Sequence, residues 1–340
     1  MFAAGIIAAG LMAQGTPQAG GFEPRVICRD AGAGGYQAFP DVARLGNGDL
    51  LCVFYAGFGH VSLPSDRLPR GGRVCAIRSR DAGKTWEEPT LVADTPLDDR
   101  DPSVAQLPDG RLLCTFFTYA PPRIAVMTVE SRDLGRTWDA QPRLVREGFA
   151  CSTPVRVLPG GRLVLGVYSE RQGERAFGAV LLSDDGGTTW SEPVPIGLDS
   201  GHSHDAETDV VRLGDGRLLA ALRPDMCLSE STDDGRTWSP VRAGGFPGHC
   251  PYLLRTRDGI LLLAHRLPDT ALHWSVDDGR TWKGPVVLDR FIGAYPSLCE
   301  LPDGTVLCVY YEEGERSALR SVRFRATRTG IEPVGPPPAR

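Results

Sequence analysis

One eight-residue pattern recurs five times along the chain. Ser79–Trp86 reads SRDAGKTW and Ser131–Trp138 reads SRDLGRTW. Ser183–Trp190, Ser231–Trp238 and Ser275–Trp282 read SDDGGTTW, STDDGRTW and SVDDGRTW. Successive copies start 52, 52, 48 and 44 residues apart. A period of this size indicates an array of small supersecondary units. Within each copy the Asp can accept hydrogen bonds from backbone amides further on, the Gly supplies a positive φ, and the Trp can pack the turn against a sheet.

A second repeat runs out of phase with the first. Six segments, 39–55, 101–117, 152–168, 207–223, 250–266 and 295–311, each place a Gly-ended tight turn between two apolar runs. Asn-Gly, Asp-Gly and Gly-Gly at such turns are strong hairpin signals. Each unit therefore reads as strand, turn, strand, loop, strand, Asp-containing turn, strand. Six such units predict an all-β fold, a six-bladed β-propeller of four-stranded antiparallel blades. The sixth unit has a third strand at 319–327 but no Trp-ended turn after it. The segment Glu23–Asp30 is expected to supply its outer strand, so that the N-terminal strand closes the ring and removes an exposed edge. Residues 21–328 form this single propeller, and 329–340 are expected to be a disordered tail.

The 340 residues, 41% hydrophobic and 23% charged, describe a globular chain. A net charge of −5 and the lack of a basic run argue against a nucleic-acid partner. Nine cysteines without CxxC or metal-type spacing suit buried structural thiols, and no cofactor or metal is expected. Residues 1–20 begin with a small, apolar stretch similar to the h-region and cleavage zone of a signal peptide. Secretion or a periplasmic address is expected on that ground. The cysteine usage leaves a cytoplasmic one open, and the stretch is too short to span a membrane.

Aligning the six hairpins by their turn Gly brings out the candidate site. Nine residues before it stand Phe39, Asp101, Ser152, Glu207, Cys250 and Tyr295. Seven residues after it stand Tyr55, Phe117, Tyr168, Arg223, Arg266 and Tyr311. Two arginines at equivalent places on adjacent blades can converge on one anion, and Arg suits bidentate recognition of a carboxylate.

The repeated S-x-D-x-G-x-T-W turn resembles the Asp box, or bacterial neuraminidase repeat, of sialidases and their relatives. The resemblance extends over about residues 23–327. It implies a carbohydrate-binding propeller whose repeat turns lie on the rim, away from the central site. It also implies an arginine cluster for the substrate carboxylate, a Tyr nucleophile activated by a Glu, and an Asp acid/base. A neutral phenol avoids the repulsion that an anionic nucleophile would meet beside that carboxylate. The stretch from Glu207 to Arg223 is similar to the family's Glu-then-Arg hairpin, and Tyr295 stands in a stretch similar to its Tyr-Ser-x-Leu strand. Arg266 lies close to where a further family arginine stands.

The chain departs from the family pattern at Ala38, which stands where the first arginine is expected. Arg100 occupies the equivalent place on the second blade and is a candidate substrate ligand. Asp66, in the loop after the second strand of blade 1, is the candidate acid/base, with Asp101 as its competitor. Of the six histidines, His60, His202, His204 and His249 fall in loops that feed inner strands. His204 and His249 are taken as candidate substrate contacts. The expected function is a sialidase-like exo-glycosidase that removes a terminal acidic sugar. A uronic-acid-directed hydrolase or lyase on the same propeller, or a non-catalytic glycan-binding propeller, are the alternatives.

Overall fold

The computed structural model describes residues 21–169, 175–201, 206–267, 269–290, 293–314 and 316–335. Six antiparallel sheets follow one another around a ring. Blade 1 comprises Tyr36–Arg44, Leu50–Gly57, Arg73–Ser79 and Thr90–Ala93. Blade 2 comprises Asp98–Gln106, Leu112–Ala120, Arg123–Ser131 and Arg143–Glu147. In blade 3 the inner strand is broken into Phe149–Ala150 and Arg156–Val157, with Pro154 between them unable to donate to the ladder. Leu163–Ser169, Gly178–Ser183 and Val194–Ile196 complete it. Blades 4 and 5 run from Ala206–Arg212 to Arg242–Ala243 and from His249–Arg255 to Lys283–Asp289. Blade 6 is Gly293–Glu300, Thr305–Glu312 and Leu319–Ala326, with Arg25–Cys28 paired to the last of these as its outer strand.

The ring thus closes through the N-terminal strand. Residues 331–333 depart from the expected tail. Thr327 N donates to Gly330 O at 2.8 Å, and the resulting turn lays Ile331–Pro333 against Phe324–Ala326. The edge of the outermost full-length strand is thereby paired at both ends, as an exposed row of N–H and C=O groups favours. The stretch 1–20, expected as a signal peptide, and the end of the chain from 336 lie outside the described residues.

Around the axis the inner strands are joined side chain to backbone. Asp41 accepts from Val104 N of blade 2 at 2.8 Å, and Ser297 Oγ of blade 6 accepts from Val42 N at 2.9 Å. Asp209 accepts from Leu253 N of blade 5 at 2.6 Å and is paired with Arg156 of blade 3 at 2.7 Å. Blades are otherwise held by apolar clusters between neighbouring sheets, such as Leu51, Val53, Leu112 and Phe116. A buried carboxylate is tolerable only with such partners. All nine cysteines are buried and unpaired.

The five Trp-ended turns share one geometry. In the second, Asp133 Oδ1 accepts from Thr137 N at 2.8 Å, Asp133 Oδ2 accepts from Thr137 Oγ1 at 2.6 Å, and Ser131 Oγ accepts from Gly135 N at 2.8 Å. The hydroxyl and amide of Thr137 hold Asp133 down to about 2. Each turn also leans on the blade before it. A Cβ on Gly135 would lie 2.9 Å from Leu51 Cδ2, and Arg78 of blade 1 donates to Leu134 O. Glycine is needed at 135 both for that approach and for its φ of 80°.

Candidate active site

At one mouth of the axis, four inner strands carry the same distortion. Phe39, Asp101, Cys250 and Tyr295 have φ of 52°, 48°, 55° and 50°, each directly before a proline. Pairing with the second strand slips at each place, between Ala38 and Asp41, Arg100 and Ser103, His249 and Tyr252, and Ala294 and Ser297. Such bulges re-aim a side chain, and left-handed non-glycine residues cluster where function demands them.

Tyr295 Oη donates to Glu207 Oε1 at 2.7 Å. Arg223 Nη1 lies 3.2 Å and 3.3 Å from the two oxygens of the same carboxylate. Cys250 Sγ is 3.8 Å from Glu207 Oε1. Glu207 is buried, Tyr295 half-buried. Burial pushes the Tyr295 phenol up, and the negative charges of Asp101 and Glu207 push it further. The proton therefore stays on the phenol at neutral pH and can leave only by passing to its partner.

Two further guanidinium groups complete the mouth. Arg266 makes no ion pair with a described residue, and its buried Nε has no hydrogen-bond partner there. Its charge is felt at Cys250, Tyr311 and Tyr295. Arg100 lies over the faces of Phe39, Phe117 and Tyr119 at 5.4, 5.3 and 5.9 Å, favourable cation–π geometry. Its ion pair with Asp101 is long, at 4.0 Å. The mouth is thus a phenol–carboxylate pair among three cations, suited to a ligand that brings a negative charge to a reacting carbon.

A family model described as a BNR repeat-like domain matches residues 75–308. The chain belongs to this family. No curated protein sequence matches it. Among solved structures, this BNR repeat-like chain is similar to a protein of unknown function from Dyadobacter fermentans, at 22% identity and a TM-score of 0.77, covering 92% of this chain and 98% of that one. It is also similar to the intramolecular trans-sialidase from Ruminococcus gnavus, at 16% identity and a TM-score of 0.70, covering 87% and 96%. The NanB sialidase from Streptococcus pneumoniae follows at 16% identity and a TM-score of 0.69, covering 86% and 68%. The fold is that of a sialidase-like propeller.

The BNR repeat-like ring brings Tyr295, Glu207, Arg223, Arg266, Arg100 and Asp101 together, and leaves Asp66 out. Asp66 is exposed and makes no hydrogen bond or ion pair with a described residue. The reason lies in how its loop is pinned. Ser62 Oγ accepts from Phe58 N at 2.9 Å, Ser62 N donates to Asp98 Oδ2 at 3.1 Å, and Ser62 O accepts from Gly72 N at 2.7 Å. These bonds fasten the loop at Ser62; Leu68 packs back against the cluster of Tyr36, Phe39 and Tyr55, and Asp66 faces solvent. His249 is half-buried at the start of the inner strand of blade 5, paired with Arg266. His204 lies outside the described residues. Ala38 is fully buried.

Four residues of the mouth escaped the sequence reading of the site. Phe39 sits with its ring 4.9 Å from that of Tyr295. Tyr36 and Tyr311 both donate to Glu313, at 2.9 and 2.6 Å. Phe39 and Tyr311 stood at the aligned hairpin positions, so a signal existed for them. Tyr36 and Glu313 fall just outside that alignment and had none.

Proposed function

We propose that the protein is a sialidase-like exo-glycosidase that hydrolyses a terminal sugar bearing a carboxylate at or beside its anomeric carbon. Tyr295 is the nucleophile, Glu207 takes its proton, and Arg266 with Arg223 and Arg100 holds the carboxylate. The observation that carries this reading is the 2.7 Å hydrogen bond from Tyr295 to Glu207 beside Arg266, a cation with no carboxylate partner among the described residues. As the phenolic oxygen bonds to the anomeric carbon, its proton passes to Glu207, so no free phenolate forms in a buried site. Arg223 steadies Glu207 and the incoming charge together.

Purified protein, assayed on a panel of aryl and natural sialosides and other acidic-sugar glycosides, is expected to release the terminal sugar. A fluorinated acidic-sugar substrate that leaves a slow glycosyl-enzyme should add its mass to the peptide containing Tyr295. Failure of every glycoside together with tight, unreactive glycan binding would replace the reading by a binding propeller.

A second reading, a uronic-acid-directed lyase, is favoured by Ala38 standing where an arginine is expected and by a histidine, His60, at the mouth. In that chemistry Tyr295 and a neighbouring base would remove a proton beside the carboxylate. A product with a new ultraviolet-absorbing double bond distinguishes it from hydrolysis.

A further inference from the structure

Hydrolysis through Tyr295 needs a group that protonates the departing oxygen and later takes a proton from water. Asp66 faces solvent with no hydrogen bond or ion pair to a described residue that would aim it at the mouth. Asp101 is 2% exposed and lies against Arg100, too deep to meet a leaving group. His60 meets the requirement. Its ring is edge-on to Phe39 at 5.2 Å, and Tyr295 packs on the same Phe39 ring at 4.9 Å. The imidazole and the nucleophile therefore flank one aromatic side chain.

A relay sets the tautomer of His60. Tyr36 Oη donates to Glu313 Oε1 at 2.9 Å, and Tyr311 Oη donates to Glu313 Oε2 at 2.6 Å. With the Tyr36 hydrogen directed to the carboxylate, its nearer acceptor than Tyr311 Oη at 3.4 Å, its oxygen accepts from His60 Nδ1 at 3.1 Å. Nδ1 thus keeps its proton in both charge states, and Nε2 is the nitrogen that gains and loses one. Nε2 has no partner among the described residues, and the side chain is 55% exposed. The charged groups facing it are Glu313, Arg100, Arg266 and Glu207.

We propose that His60 is the acid/base of this site. The inference rests on the glycosidase reading above. In the first step the Nε2 proton goes to the glycosidic oxygen as the carbon–oxygen bond breaks, the bonding pair leaving with that oxygen. Tyr295 oxygen bonds to the anomeric carbon and its proton goes to Glu207. In the second step Nε2 takes a proton from water, the water oxygen bonds to that carbon, and Tyr295 leaves and recovers its proton from Glu207. Burial, and then the positive charge of Arg100, lower the basicity of His60 below the ordinary histidine value of 6.5, outweighing the opposite pull of Glu313. The acid form therefore exists only under acidic conditions, and activity falls with an alkaline limb below that value.

The test compares wild type with His60→Gln and Tyr36→Phe on two leaving groups, an activated aryl alcohol and a sugar alcohol. His60→Gln is expected to lose about 10²–10⁴-fold in kcat/KM on the sugar alcohol and under about tenfold on the aryl one, and to lose the alkaline limb. Tyr36→Phe frees Nδ1 and should shift that limb. NMR of ¹⁵N-histidine, with His60→Gln to identify the signal, should show the neutral Nδ1–H tautomer. Equal losses on both leaving groups with the limb unmoved, or an Nε2–H tautomer, would overturn the role of His60 while leaving the glycosidase reading intact. A wild type inert on every glycoside would overturn both.

Discussion

The rim turns and the axial mouth use the same backbone device for opposite ends. In each rim turn two successive residues take positive φ, as Leu134 at 62° and Gly135 at 80° do. The second is always glycine, and the first is Ala82, Leu134, Gly186, Asp234 or Asp278, with no chemistry in common. At the mouth the left-handed residues are Phe39, Asp101, Cys250 and Tyr295, and each aims a different side chain at the axis. Around the rim glycine takes the second of the two positions, the first tolerates any side chain, and the turns are interchangeable. At the axis non-glycine residues are held in it, a cost of order 1–3 kcal/mol each, sustained by the packing around them. Repetition marks the scaffold, and departure from repetition marks the site.

Substitution at the mouth should break this contrast most strongly. Tyr295→Phe is expected to lower kcat by at least about 10³-fold with little change in Tm, measured on the best acidic-sugar glycoside. An unchanged rate would remove the phenol from the chemistry. Asp209→Ala, one layer deeper, should do the reverse. It leaves the half-buried Arg156 without its carboxylate and Leu253 N without its acceptor, and should cost about 3–5 kcal/mol in denaturant unfolding. Arg266→Met is expected to weaken the carboxylate contact by about 1.5–3 kcal/mol, seen as a raised KM on acidic sugars and no change on a neutral analogue. At the rim, Asp133→Ala should cost only about 1 kcal/mol and leave kcat/KM untouched.

Acid should separate the regions as well. Burial lowers His265 to about 4 and His273 to about 3, where the two rings share a 2.8 Å hydrogen bond beside Phe246. Both stay neutral in the fold while the unfolded chain takes up protons below about 6.5. Stability is therefore lost as pH falls from about 6.5 toward 4. The rim aspartates act lower down. Asp133 is depressed to about 2, so its contribution is present above about 3.9 and lost as pH falls through 2. Tm measured against pH should show two windows, and His273→Gln should flatten only the upper one.

Much of this architecture is local and so was legible in the chain. A rim turn is closed by bonds between residues two to four apart, and a hairpin by its Asn-Gly or Asp-Gly. Periodicity then supplied the number of blades, and alignment by the turn glycines drew Tyr295, Glu207, Arg223 and Arg266 to one end. Residues 331–333 depart from the expected tail because Ile331–Pro333 finds its partner in the edge left by a short N-terminal strand, not in its own composition.

The sequence by itself determined six blades, their phase and the strand that closes the ring, because turn chemistry and alternation act over a few residues. Only the tertiary structure decided between Asp66 and His60. Both lie in one loop, six residues apart, and nothing in their spacing separates them. In the fold His60 reaches Tyr36 while Asp66 meets no described partner, and the Tyr36–Glu313 relay exists only once the first and sixth blades meet.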